Sequence, residues 1–256
     1  VKRLLLDIET APNLAAVWGL FDQNISPQHL LGSSYVLCWS AKWYGESKMM
    51  FDSVQHSTKR AMLGRVHTLL EQADTVVHFN GRKFDIPVLN KEFIKLGFTP
   101  PAPYQQVDLY QVCKYAFRFE SNKLAYILKT LGIGAKLEHE GFELWLKVMG
   151  LRGYTKPVIE QAWKVMERYN RRDVSEMSKL YTRLMPWIDR HPSHGAVSDT
   201  PCCPKCGSED LTRRGFAFTT SMKYPRYQCK GCGGWARGNK SVSVRRQERL
   251  LNVAQR

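Results

Sequence analysis

Two sets of side chains in this 256-residue chain have the types and spacing to do chemistry: acidic residues near strand ends, and paired cysteines. Asp7 and Glu9 end an apolar run as Asp-x-Glu. Residues two apart on a strand point to the same face, so both carboxylates can converge on one cation. Asp85 closes the stretch Asn80-Gly-Arg-Lys-Phe-Asp85, and Asp173 closes Tyr169-Asn-Arg-Arg-Asp173. In a helix the second spacing, i to i+4, puts Tyr169 and Asp173 on one face. Four gathered carboxylates repel one another unless cations sit among them. Phosphodiester hydrolysis has a use for such cations: two divalent ions about 3.5–4 Å apart activate a water and stabilise the leaving oxygen. Oxygen ligands suit Mg²⁺ or Mn²⁺. Each motif alone is common by chance; their order, at strand ends and on a late helix, is not.

The chain has seven cysteines, and four of them form Cys203-Pro-Lys-Cys206-Gly and Cys229-Lys-Gly-Cys232-Gly, with 22 residues between the pairs. Each pair can present two thiolates from a tight knuckle whose glycine allows the turn. Four soft ligands then complete a closed tetrahedral site for one structural Zn²⁺. The separation exceeds the usual value of about 15–20, which an antiparallel hairpin absorbs. A redox dithiol is disfavoured because two pairs are present without a thioredoxin-like βαβ context. Cys202 competes with Cys203, but the Cys-x-x-Cys spacing selects Cys203. Cys38 and Cys113 fall in apolar segments and read as core residues. The module resembles a zinc ribbon.

The elements that must position these groups are legible from periodicity. Val1–Glu9 reads as a strand, followed by strands over Tyr35–Trp43 and Lys48–Val54. Lys59–Gln72 has helical spacing, Thr75–Phe79 is β-branched, a helix follows over Ile86–Leu96, and Gln106–Leu109 reads as a fifth strand. From Leu124 onward the pattern is helical: one helix closed by Gly132, one over Phe142–Met149, and a long amphipathic one over Val158–Leu184. Strands in a meander, then strands alternating with helices, predict an α/β fold with a mixed sheet covered by helices. Asp108 reads as the cap of the helix after it, and His78, inside a strand, as a satisfied core histidine. His56 and His139 are given no role.

Residues 189–200 are polar and rich in Pro, Gly and Ser, a linker signature. The expected organisation is a catalytic domain over 1–187, a linker over 188–200, a ribbon over 201–240 and a basic tail over 241–256. The ribbon's arms are expected at Thr212–Thr220 and Tyr224–Cys229.

Net charge is +15, and residues 201–256 hold 12 Lys/Arg against 3 Asp/Glu. This bias favours a polyanionic partner, nucleic acid. Arg213, Arg214, Lys223, Arg226, Lys230 and Arg237 are candidate phosphate contacts, with Tyr227 or Trp235 stacking on bases. Docking onto a partner protein of replication or repair is the other reading of the ribbon. With 43% hydrophobic residues a sizeable core can be buried, and no apolar run reaches the about 18 residues that span a bilayer. A soluble intracellular protein without a membrane partner is therefore the default.

Taken together, Asp7-Ile-Glu9-Thr10, Asn80-x-x-x-Phe84-Asp85 and Tyr169-x-x-x-Asp173 resemble the three motifs of the DEDD superfamily of 3′–5′ exonucleases, in its tyrosine subgroup. The segment from Lys123 to Gly134 is similar to the stretch between the second and third motifs in relatives of the family B polymerase proofreading domain. The resemblance covers residues 1–187. It implies a ribonuclease H-like mixed five-stranded sheet flanked by helices. It also implies that Asp7, Glu9, Asp85 and Asp173 coordinate two Mg²⁺ or Mn²⁺ ions, and that Tyr169 orients the attacking water. Asn80 and Thr10 would lie near the terminal nucleotide. The activity implied is release of nucleoside 5′-monophosphates from a 3′ end, DNA being favoured over RNA. A nucleic-acid-binding or adaptor protein on a nuclease scaffold is the alternative. These residues include no polymerase domain, so proofreading within one chain is not expected.

Overall fold

Leu4, Leu5, Leu6 and Ile8 are all buried, as an unbroken apolar run requires when its strand is covered on both faces. In the computed structural model, which describes residues 1–134, 140–196 and 198–242, that strand is β1 (Arg3–Thr10), the middle of a five-stranded sheet. A two-stranded excursion follows it, β2 (Leu14–Ala15) paired with β3 (Leu30–Gly32), before the chain re-enters the sheet as β4 (Val36–Trp43) and β5 (Met49–Ser53). Then come α1 (Lys59–Glu71), β6 (Thr75–His78), α2 (Asp85–Lys95), β7 (Gln105–Asp108) and α3 (Leu109–Ala116). Three more helices follow: α4 (Leu124–Thr130), α5 (Phe142–Val148) and α6 (Lys156–Leu184).

The sheet order is β5-β4-β1-β6-β7. β1 runs antiparallel to β4 and parallel to β6, and β6 runs parallel to β7. The expected mixed five-stranded sheet is what the chain forms. Leu4, Leu6 and Ile8 pack with Met62, Val66 and Leu70 of α1 and with Ile86, Leu89 and Phe93 of α2. A second cluster joins Leu37 and Cys38 of β4 to Leu144 and Val148 of α5 and to Trp163, Met166 and Tyr169 of α6. The β1–β4 register slips between Glu9 and Thr10, a bulge at the end of the strand that carries the acidic pair. Bulges bend a strand locally and re-aim its side chains.

The β2–β3 excursion was not anticipated from periodicity. It carries four large apolar side chains in water: Trp18, Leu20, Phe21 and Leu31 are at least 78% exposed.

The chain divides into two compact units, Val1–Thr182 and Arg183–Arg256. The second holds β8 (Leu211–Phe218), β9 (Lys223–Cys229) and β10 (Trp235–Arg237), antiparallel in the order β10-β9-β8. The two long strands are the expected hairpin arms; β10 is additional. Within this unit the His194 N–H reaches the Pro204 carbonyl at 2.9 Å, and Lys205 Nζ donates to the Pro186 carbonyl. The basic tail lies outside the described residues beyond Val242, as does His139. No described helix is long and apolar enough to cross a membrane.

Candidate functional site

The carboxylates sit where three elements meet. β1 ends with Asp7 and Glu9, both half-buried, and α6 contributes Asp173, which is buried. One oxygen from each of these three lies within 4.8 Å of the others. That is a donor set a hard divalent cation fits: anionic oxygens only, close enough to share an ion, and mutually repulsive without one.

Asp85 is placed next to this group rather than within it. It is the first residue of α2, where a negative charge is favoured by the helix dipole. Its Oδ1 accepts the Ile8 main-chain N–H at 3.1 Å, between Asp7 and Glu9. Burial pushes the Asp85 carboxyl up to about 7, against the Ile8 N–H, which favours the charged form; the Asp108 charge adds to the rise. A cation nearby would reverse that balance.

The turn before α2 is strained in a specific way. Asn80 takes a positive φ of 65°, which asparagine tolerates better than most residues. Its main-chain N–H is held by Asp108 Oδ1 at 2.9 Å, and the same oxygen accepts the Tyr110 N–H at 3.1 Å. Asp108 is thus the cap of α3, as expected, and is spent on two main-chain amides. His78 is fully buried, accepts the Gly81 N–H at Nδ1 (3.1 Å) and faces Gln106 Oε1 through Nε2 (3.1 Å). A Cβ on Gly81 would come within 2.6 Å of His78 Cγ, so the turn has no space for one.

Tyr169 is buried, its ring edge-on to Trp145 with centroids 6.1 Å apart. A cavity of about 480 Å³ opens beside the carboxylates, lined by Asp7, Asp173, Asn80, Phe79, Tyr110 and Lys123 among others. Asn80 lies on the wall of this space, beside Asp7. Thr10 is half-buried at the end of β1 and does not line that cavity. Phe79, Tyr110 and Asn170 are missed by the sequence reading. Asn170 had a signal, a neutral amide within the turn that carries Tyr169 and Asp173. Tyr110 had none, since its place depends on where α3 begins. Cys38 lies opposite Glu9 in the β1–β4 ladder; burial, then the Glu9 and Asp7 charges, push its thiol well above the usual range, in keeping with a core role.

In the second unit, Cys203, Cys206, Cys229 and Cys232 bring their sulfurs within 4.8 Å of one another, and Cys202 stays outside. Cys203 Sγ and Cys232 Sγ are 3.7 Å apart, and Cys206 Sγ and Cys229 Sγ 3.6 Å. Those separations far exceed a disulfide bond of about 2.05 Å. They match the edge of a tetrahedron, about 3.8 Å, built on Zn–S bonds of about 2.3 Å. Both knuckles close alike: the N–H groups of Gly207 and Gly233 return to the carbonyls of Cys203 and Cys229, each at 2.9 Å and each with the glycine at positive φ. Burial pushes the Cys206 and Cys232 thiols up. Burial raises Cys229 too, but the Cys232 N–H and neighbouring thiols bring it down to about 7.

The basic and aromatic residues of this unit fall on both faces of its sheet. Alternation along β9 and its register with β10 put Tyr224, Arg226, Trp235 and Arg237 on one face. Arg226 lies over the Trp235 ring at 4.9 Å and Arg237 over Tyr224 at 4.1 Å. Lys223 and Tyr227 belong to the other face with Arg213, and Lys223 Nζ sits 3.8 Å from the Phe216 ring centre. Arg214 accepts from Arg226 Nε through its carbonyl at 2.9 Å, and Lys230 pairs with Asp210 at 3.7 Å.

A family model described as RNase_H superfamily matches residues 32–185, more than half of the chain. The match includes Asp85, Tyr169 and Asp173 and begins after Asp7 and Glu9. Among solved structures the fold is similar to that of the family B DNA polymerase from the hyperthermophilic archaeon Pyrobaculum calidifontis, with a TM-score of 0.52 and 16% sequence identity. The similarity covers 73% of this chain and 25% of the polymerase, so the chain spans only a quarter of that protein's length. No curated protein matches the chain in sequence.

Proposed function

Because the chain belongs to the RNase H superfamily, we propose that it is a metal-dependent 3′–5′ exonuclease acting on nucleic acid, DNA in preference to RNA, and releasing nucleoside 5′-monophosphates. The observation that carries this reading is the convergence of Asp7, Glu9 and Asp173 within 4.8 Å beside a cavity large enough for a nucleotide. Asp7, Glu9, Asp85 and Asp173 would hold two Mg²⁺ or Mn²⁺ ions, which supply an acidified water and charge stabilisation at the phosphate. Tyr169, fixed by its packing against Trp145, orients the water through its hydroxyl. Asn80 bounds the space for the terminal nucleotide, with Thr10 farther along β1.

The four cysteines of the second unit would hold one structural Zn²⁺, which stabilises a fold with little core of its own. Its Arg–aromatic face, Arg226 on Trp235 and Arg237 on Tyr224, suits a single strand: guanidinium groups for phosphate and rings for bases. Arg213, Arg214, Lys223, Tyr227 and Lys230 contribute charge and stacking from the rest of the module. A non-catalytic nucleic-acid-binding or adaptor protein on this scaffold is the second reading. It is disfavoured by the intact acidic set, since an abandoned site would have no need to keep mutually repelling carboxylates together.

Oligonucleotides of DNA and RNA, labelled at the 3′ or the 5′ end, test this with Mg²⁺ or Mn²⁺ and again with chelator. A 5′-labelled ladder that shortens stepwise only with metal is the expected result. Binding without cleavage would remove the enzymatic reading in favour of the binder.

A further inference from the structure

We infer that Asn170 is a positioning residue for the carboxylate of Asp7, an inference that rests on reading the acidic group as a divalent-metal centre. Asn170 is completely buried on α6, in the same turn as Tyr169 and Asp173. Its Nδ2 donates to Asp7 Oδ2 at 2.7 Å and lies 3.4 Å from the Asp7 main-chain carbonyl. One amide group therefore grips both the side chain and the backbone of the first acidic residue. It does so from the helix that supplies Asp173. The Ile8 N–H, on the next residue, is held by Asp85 at the start of α2. β1 is thus pinned from two helices at adjacent positions, and the spacing between the β1 carboxylates and Asp173 is set by side-chain hydrogen bonds as well as by packing.

The choice of an amide follows from electrostatics. Each carboxylate oxygen has two lone pairs, so one N–H on Oδ2 takes up only part of the acceptor capacity of Asp7. A lysine or arginine here would also donate, but its charge would offset the negative field that attracts the metal. An aspartate would add a like charge against Asp7 and supply no donor when ionised. Alanine or serine is too short to replace the amide at 2.7 Å. A neutral donor of this length orients the ligand without cancelling its charge.

The Asn170 Oδ1 atom is buried with no hydrogen-bond partner. A buried acceptor left unpaired costs stability. The position keeps that cost while its nitrogen serves Asp7. An apolar residue of the same shape would pack there without the penalty, so packing alone does not account for asparagine at this site.

The test is Mn²⁺ binding to the full, zinc-replete chain by isothermal titration calorimetry without substrate, for wild type, Asn170→Ala and the nearly isosteric Asn170→Leu, each with its thermal midpoint. Loss of an outer hydrogen-bond partner weakens metal affinity by about 10–100-fold. Both variants are expected to bind Mn²⁺ more weakly by that factor, with Asn170→Leu melting close to wild type. A role limited to filling space predicts instead that Asn170→Leu binds as wild type does, and that result would overturn the inference while leaving the metal centre standing. If wild type takes up no Mn²⁺, the metal-centre reading falls and this one falls with it. Should Asn170→Ala fail to fold, the leucine variant decides alone.

Discussion

Asp85 Oδ1 accepts the main-chain N–H of Ile8 at 3.1 Å, which fastens the start of α2 to the residue between Asp7 and Glu9. The two sequence motifs are thereby joined through backbone, and charge can be separated from structure at residue 85.

Asp85→Asn keeps an oxygen that can accept from Ile8 but removes the charge. Without metal its urea midpoint at neutral pH is expected to hold or rise, because burial disfavours the ionised carboxyl in the folded chain. Nuclease activity is expected to fall by at least about 10³-fold, the equivalent of several kcal/mol of lost charge stabilisation. Asp85→Ala also leaves the buried Ile8 N–H unpaired, for a further loss of stability of about 1–3 kcal/mol. Undiminished cleavage by Asp85→Asn would remove this carboxylate from the site.

Tyr169→Phe keeps the ring that packs against Trp145 and deletes only the hydroxyl. The turnover number should drop by about 100-fold, within the range of a lost proton-handling or water-orienting group. KM and Mn²⁺ affinity should hold. A variant as fast as wild type would leave Tyr169 a purely structural aromatic.

His78 makes stability fall with acid. Burial lowers its pKa below the ordinary 6.5, and Arg82 assists, while Asp108 and the Gln106 bond pull it back only in part. Since the folded form binds the proton less readily than the unfolded chain, its contribution is complete above pH 6.5 and is lost as pH drops through the folded value. Within that window the slope is at most about 1.4 kcal/mol per pH unit. Urea titrations at several pH values should show a steeper acid loss for wild type than for His78→Gln. Parallel curves would mean that the imidazole titrates alike in both states.

Elemental analysis should find one zinc per chain, and none in Cys203→Ser/Cys229→Ser. The double variant should also lose the β8–β9 signal in circular dichroism, because the metal contributes folding free energy to so small a unit. If the module also holds nucleic acid, removal of zinc should reduce the salt dependence of binding. Native zinc content in the double variant would exclude these thiols as ligands.

Much of the fold could be read from periodicity because its strands are short apolar runs with clear stops. Leu4–Leu6 and Val76–Val77 are hydrophobic enough to have no other use than a sheet covered on both faces. The acidic motifs were visible for the same reason: their spacing is fixed within one element. What stayed hidden depends on distance between elements. Asn170 meets Asp7 across 163 residues, and no local pattern marks an amide as partner of a remote carboxylate. Asp108 shows the reverse: its linear context suits a ligand or a cap, and the bonds to Asn80 and Tyr110 make it a cap. The β2–β3 excursion escaped because two- and three-residue strands carry no periodicity. The split of the second unit's aromatics over two faces follows from a register that becomes definite only once β10 is paired.

The excursion with Trp18, Leu20, Phe21 and Leu31 in water also governs how the protein will behave at the bench. At low ionic strength a net charge of +15 keeps molecules apart. Added salt shortens the reach of that repulsion to about 3 Å at 1 M, while oily side chains go on attracting one another. Concentrated stocks should therefore cloud as salt is raised, and replacing Trp18 and Phe21 with serine should keep them clear.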